Sequence, residues 1–385
     1  MAIFCLGANL EAADHEERAG VWIQRTVETT RNLLLDPNAP GYDKEFSIGM
    51  ASLALGQHGR MNDALELFEK SGLEDRSKYR QQGLLALANG LSSGGHIDDA
   101  LKIVHTIDNE YMRGTALSLV AIRPSQRGDF EEAEALLRRI TNPVYRDRAA
   151  KQICSEYIKT GKYQDARRLS MQISDHETLA KVAEEIDSQR KRPPVTDKGY
   201  VEFELEAARN RPFGGVSDSE LDFLNHYYRA VVALELDDNE LFDKESQTAR
   251  QLADALTNND GALLLLGRMM YKAGRKDDSR QLFALLLDNY SNEKDVNPFD
   301  FNKMFFGSGL SSDAEMVADC LPEEELRKNL EALLKLPSAT IVAAPLFGAV
   351  VSLRNPGWAK QMYDTAADLE VKASLASNCL LALPH

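Results

Sequence analysis

Arg127 to Ile140 reads RGDFEEAEALLRRI, and the chain spells this stretch four more times with different letters. Upstream stand HGRMNDALELFEK (58–70) and GGHIDDALKIVHT (94–106); downstream come TGKYQDARRLSMQ (160–172) and AGRKDDSRQLFAL (273–285). Aligned on Gly59, Gly95, Gly128, Gly161 and Gly274, the first four copies are 36, 33 and 33 residues apart. A fixed period near 33 marks a stacked repeat array. Each slot has a physical reading. Glycine takes the left-handed conformation that ends one helix and turns the chain into the next. Mostly apolar residues at offsets two (where Lys276 breaks the rule), eight and nine, with Ala64, Ala100, Ala133, Ala166 and Ser279 at offset five, fall on one stripe of a second helix, and the small residue lets two helices approach closely. Offset four is acidic in every copy (Asp63, Asp99, Glu132, Asp165, Asp278), where a carboxylate meets the positive end of the helix dipole. Asp129 with Glu132 spells a capping-box pair. That position explains the acids as helix-start chemistry rather than as a catalytic row.

The segment before each glycine carries apolar residues at helical spacing, such as Ile48, Ala51 and Leu55. Each unit is therefore an αα-hairpin that must stack on its neighbours to bury its apolar stripe. Pro124, late in the third first-helix, predicts a kink or an early end there.

The pattern resembles the tetratricopeptide repeat family: RGDFEEAEALL supplies glycine, acid, aromatic and alanine in the family's slots, and GALLLLGRMMYKAGRKDDSRQLF supplies Gly267, Gly274 and Phe283. The closing proline and the tryptophan of the first helix are absent. The resemblance covers residues 45–185 and 260–290 and implies an all-α solenoid of αα-hairpins, a TPR-like superhelix, with a more divergent helical C-terminal half. Four parts are expected: a capping helix region over 1–44, the array over 45–190, a linker over 191–217 containing RKRPPVTDKGY, and a helical domain over 218–385. Within that last part, SELDFLNHYYRAVVALEL and NELFDKESQTARQLADAL read as one further pair.

Composition narrows the function classes. With 43% hydrophobic and 27% charged residues the chain is a folded protein rather than a disordered one. Its net charge of −15 disfavours nonspecific contact with nucleic acid or anionic membrane. Four scattered cysteines without metal spacing suit a reducing, cytoplasmic setting. No basic region precedes the short apolar run at the N-terminus, which argues against a signal peptide. Leu336 to Leu353 is apolar but holds Pro337, Pro345 and hydroxyls, so it reads as a buried helix rather than a membrane span. GSGLSS lacks the Lys-Ser/Thr ending of a phosphate loop, and the seven histidines are isolated, with His58 and His96 falling at hairpin turns. Cys154 falls on an apolar helix face, a packing position. No cofactor or metal site is expected, and the pattern specifies no oligomeric state.

What remains is a binding surface. The family's inner groove, carried over by its offsets from the turn glycine, implies Gln82, Leu85, Asn89 and Ser92 on the second hairpin. It implies Thr115, Ser118, Ile122 and Ser125 on the third, and Arg148, Lys151, Ser155 and Ile158 on the fourth. The Lys/Asn arrangement by which some members clamp a C-terminal carboxylate does not appear; the first hairpin offers Gly49 and Leu53. Arg80, Arg113 and Arg146 recur at 33-residue intervals, reading either as capping and ion pairing at hairpin junctions or as an acidic-peptide track. The expected function is a non-catalytic scaffold or adaptor that binds a peptide or helix of another protein in the groove. The alternatives are a subunit whose apolar C-terminal helices bury against another chain and, third, an enzyme with its site in the C-terminal half.

Overall fold

A computed structural model describes residues 2–73, 77–197, 199–210, 216–257, 259–292, 316–335, 346–348, 356–366 and 368–383. The described residues are helical, with no strand among them, and stack as αα-hairpins: an all-α repeat solenoid. They form two compact units, one comprising Met1–Arg190 with Phe347–His385 and the other Lys191–Leu346. The C-terminal domain expected over 218–385 is thereby corrected: its last stretch belongs to the first unit.

In the first unit a long helix, α1 (Ala2–Leu35), precedes four hairpins. These are α2 (Gly41–Gln57) with α3 (Met61–Lys70), α4 (Lys78–Ser93) with α5 (Ile97–Thr106), α6 (Glu110–Gln126) with α7 (Phe130–Leu137), and α8 (Pro143–Lys159) with α9 (Tyr163–Ser170). Helix α10 (His176–Lys191) follows. The first members, α2, α4, α6 and α8, pack successively on one another and will be called the A helices. Each turn glycine has positive φ: 67° at Gly59, 87° at Gly95, 86° at Gly128 and 72° at Gly161. The next residue's N–H then reaches five residues back, as Arg60 to the Leu55 carbonyl at 2.8 Å and Asp129 to the Pro124 carbonyl at 2.9 Å, the six-to-one bond of a Schellman turn. Pro124 does not end α6 early; it sits in the last turn, and the helix runs on to Gln126.

Caps recur with the same period. Ser77, Asn109, Asn142 and Asp175 accept from the N–H of Arg80, Met112, Val144 and Thr178 at 2.8–3.2 Å, each contributing about 1 kcal/mol to its helix start. The four alanines at offset five are fully buried. Between α2 and α4 the backbones themselves meet. A Cβ on Gly90 would lie 2.1 Å from the Leu53 carbonyl oxygen, one on Gly94 2.1 Å from that of Gln57, and one on Gly56 2.6 Å from that of Leu87. No side chain fits at these crossings.

The array is closed at its beginning by both ends of the chain. Two C-terminal helices, α17 (Pro356–Thr365) and α18 (Leu369–Ala382), belong to this unit, and α18 packs on α1 and on α2. It occupies the A-helix place before α2, while α1, touching α2 and α3, takes the place of its hairpin partner. His58 Nε2 lies 2.6 Å from the Leu380 carbonyl, tying the end of α2 to the end of α18. The rings of Trp22 and Tyr363 meet edge to face with centres 5.6 Å apart, and Arg25 lies against both, 4.9 and 4.4 Å from their centres, and reaches Asp364 at 3.2 Å. The expected capping region over 1–44 is thus half of a split repeat.

The second unit holds α11 (Tyr200–Arg209), inside the expected linker, then α12 (Asp218–Glu235) with α13 (Asn239–Asp254), α14 (Asp260–Lys272) with α15 (Lys276–Asn292), and α16 (Glu323–Leu333). Gly274 has φ 73° and turns α14 into α15. Asp237, with φ 55°, does the same work between α12 and α13 without glycine. Ser217 and Glu220 close a full capping box at the start of α12. Most of the apolar stretch 336–353 lies outside the described residues, and no described helix is long and apolar enough to cross a membrane.

Candidate functional site

The A-helix row of the first unit is where the eight expected groove residues fall, and the structure sorts them. Gln82, Asn89, Lys151 and Ser155 are half-buried, and Arg148 is exposed. Ser92 and Ser118 are corrected: both are buried, at 0% and 1% exposure. Ser92 donates to its own helix at the Asn89 carbonyl, 2.9 Å away. The Ser118 hydroxyl lies 3.0 Å from the carbonyls of Gly114 and of Tyr145, so it stitches α6 to α8 and has no face left for a ligand. The reason is local: Gly114 makes room for the Tyr145 ring, whose atoms would be 2.2 Å from a Cβ there, and the ring covers the slot. The Thr115 hydroxyl is likewise withdrawn from solvent. Ser155 reaches toward Glu185 of α10 at 3.3 Å.

Asn89 sits in a cluster that the groove offsets did not include. Arg123 of α6 donates Nε to Asn89 Oδ1 of α4 and Nη1 to Gln126 Oε1, both at 2.8 Å. Arg127, one turn on, donates to the Ser92 and Ser93 carbonyls at 2.5 and 3.3 Å and so caps the end of α4. Among the described residues neither arginine is paired with a carboxylate. Burial, and then the like charge of Arg127, push the Arg123 guanidinium below its ordinary pKa.

The arginine ladder divides. Arg80 and Arg113 donate to the carbonyls of Leu73 and Ile107 at 3.5 and 3.1 Å, in the segments just before their own helices, and Arg146 donates to Ser174 at 3.1 Å. These are contacts at the hairpin junctions, as the capping reading expects. One residue further on lies a clamp with no simple sequence signal. Gln81 Oε1 accepts from the N–H of Asp108 and Asn109 at 3.0 and 3.1 Å; Asp147 Oδ2 accepts from Ser174 and Asp175, both at 2.9 Å. Each closes its hairpin onto the loop that starts the next element, and the intervening hairpin carries Gly114 in the same slot. The offset-four acids stay at the helix starts: Asp63 accepts from Arg60 and Asp99 from Lys102. Asp129 accepts from the Glu132 N–H at 3.1 Å.

At the outer junction, Glu134 of α7 accepts from Arg168 at 2.6 and 3.0 Å and from the Tyr157 hydroxyl at 2.7 Å. Arg168 holds the Glu134 carboxyl below its ordinary value against the opposing effect of burial. In the second unit His226 Nδ1 meets the buried Glu245 at 2.6 Å. No nucleophile among the residues bonded to that pair completes a catalytic arrangement. Cys154 is packed at 0% exposure, and burial pushes its thiol up to about 12. The apolar C-terminal helix α18 buries Val371, Leu375, Cys379 and Leu380 within its own unit, so that face is covered in this chain. Among the described residues no group of three His, Cys, Asp or Glu side chains is placed to hold a metal ion.

No protein-family model matches the chain, and no curated protein matches it. A solved structure, a circular tandem repeat protein with novel repeat topology and enhanced subunit contact surfaces, is 12% identical to it over 95% of this chain and 83% of that one. The TM-score is 0.14, at which the likeness carries no argument.

Proposed function

We propose that the A-helix face of the first unit binds a peptide or helical segment of another protein, and that the chain is a non-catalytic scaffold or adaptor of the cytoplasm. The observation that carries this reading is a set of polar side chains without partners on two A helices of the stack, α4 and α8, which flank α6. Gln82 on α4 and Arg148 and Lys151 on α8 are half-buried or exposed, and among the described residues their side chains make no hydrogen bond or ion pair. Elsewhere in the same unit the charged side chains are commonly paired, as Lys102 with Asp99 and Lys159 with Glu156. Stacked helices hold the backbone of these residues in place before a ligand arrives, so binding orders side chains and not the chain that carries them. The free thiols of Cys154, Cys320 and Cys379 agree with a reducing compartment.

The test is capture from the source cell's lysate with wild type, with Gln82→Ala/Arg148→Ala/Lys151→Ala, and with an outer-face control, Glu131→Ala/Arg138→Ala, at two exposed positions of the third hairpin. Circular dichroism first establishes equal folding. A protein captured by wild type and the outer-face control but lost from the A-face variant supports the reading. Equal capture by all three rejects it.

A further inference from the structure

We propose that Asn89, Gln126 and Arg123 form a subsite for one acidic side chain, aspartate or glutamate, of the bound protein segment. This deepens the proposed function and rests on it. A guanidinium has only donors, so the amide oxygens of Asn89 and Gln126 must be the atoms that face Arg123. Both amide NH2 groups are then turned away from it. Among the described residues neither NH2 has an acceptor, and the Nη2 group of Arg123 has none. The cluster therefore offers only donors, from three side chains on two adjacent A helices, and no acceptor competes for them.

The charge count selects the ligand. The C-terminal ends of α4 and α6 carry negative dipole ends, which oppose an anion. Arg127 donates into the Ser92 and Ser93 carbonyls and offsets the end of α4. Arg123 has no carboxylate among the described residues, and it is half-buried beside a second guanidinium. One uncompensated cation calls for one negative charge, and two parallel N–H···O bonds to a carboxylate are the geometry a guanidinium makes best. Gln126 is exposed and Asn89 half-buried, so a side chain reaches the cluster from solvent. Arg123 stands five residues before its turn glycine, at none of the groove offsets the family resemblance supplied.

The probe is blocked glutamate, N-acetyl-Glu-amide, whose one charge is the side-chain carboxylate, titrated into the full chain with arginines labelled for Nε–Hε NMR. Arg123→Lys assigns the signal. The expected result is a saturable shift of the Arg123 signal, with half-saturation at a concentration about tenfold below that for blocked glutamine, the ratio given by one charge-assisted bond. N-acetylglycine, which offers a terminal carboxylate, is expected to follow blocked glutamine. Gln126→Leu, at an exposed position that leaves the fold intact, is expected to weaken the glutamate response severalfold. An unresponsive Arg123, an equal response to blocked glutamine, or a stronger response to N-acetylglycine overturns the assignment. Any of these alongside loss of a captured protein from the Gln82/Arg148/Lys151 variant would leave the binding face standing and remove only its acidic subsite. A saturable glutamate response with unchanged capture supports the subsite while the wider reading fails.

Discussion

Replacing Gly90 by alanine should destabilise the first unit, although alanine is the better helix former. The intrinsic preference favours Ala over Gly by about 1 kcal/mol in a helix interior. At this position the new methyl would lie 2.1 Å from the Leu53 carbonyl oxygen and 3.0 Å from the Gln57 nitrogen. Both are backbone atoms, so no rotamer change relieves the clash and α2 must move away from α4 by roughly 1 Å to restore ordinary van der Waals contact. That shift loosens a seam where Ile48, Ala51 and Leu55 of α2 and Leu87, Ala88 and Leu91 of α4 are fully buried. Overpacking of this kind costs about 1–3 kcal/mol, and a backbone-to-backbone clash belongs at the upper end. The net loss is then about 2 kcal/mol after the helix-propensity gain. Gly49, also in α2, supplies the control: a Cβ there meets nothing within 4 Å. Gly49→Ala should gain about 0.5–1 kcal/mol. Both tryptophans, Trp22 and Trp358, are buried in the first unit, so urea unfolding followed by tryptophan fluorescence reads this unit. A Gly90→Ala chain as stable as wild type, or one that moves in the same direction as Gly49→Ala, would refute the close-contact reasoning.

Three further outcomes are expected. Arg25→Met removes the cation that lies against both Trp22 and Tyr363 and should cost about 1–2 kcal/mol in the same urea experiment; an unchanged midpoint would show that the split repeat is not held there. The Glu134 carboxyl is lowered in the folded chain, chiefly by Arg168, so its contribution is present above the ordinary carboxylate value of 4.5 and disappears as the pH falls through its lower folded value. Glu134→Gln should therefore be less stable than wild type at pH 7 by about 1 kcal/mol, a figure that allows for screening of the half-exposed Arg168, with the gap closing in acid; a pH-independent gap would contradict it. Burial pushes the thiol of Cys379 well above its ordinary value and that of Cys154 up to about 12, so a thiol reagent at neutral pH should label both only on unfolding, and rapid native labelling of either would place it outside the core.

What the sequence disclosed follows from how local each cause is. The turn glycines were legible because a positive φ leaves few residue types to choose from, and the alanine at offset five because a close crossing admits only a small side chain. Asp237 shows the limit: it takes φ 55° without being glycine, so the turn between α12 and α13 carries no glycine signal and that pair does not align with the five copies. The caps Ser77, Asn109, Asn142 and Asp175 recur at the repeat period and were within reach of the same alignment. The return of α18 to α1 and α2 was not, because its contacts join residues more than 300 positions apart and leave no periodic trace. At the candidate site, Asn89 was placed by resemblance while Arg123 was missed, since its role appears only when α6 lies against α4. Ser118 failed for the converse reason: its offset suits a groove, but Gly114 and Tyr145 close over it.

The central claim, that the A-helix face receives a protein segment, is tested most directly by photo-crosslinking in the source cell. A photoreactive residue is placed at Gln82 on α4 in one chain and at the exposed Glu131 on α7 in another. The account predicts a crosslinked protein from Gln82, diminished by Arg148→Ala/Lys151→Ala, and none of that protein from Glu131. The same protein crosslinked from Glu131 and not from Gln82 would contradict it.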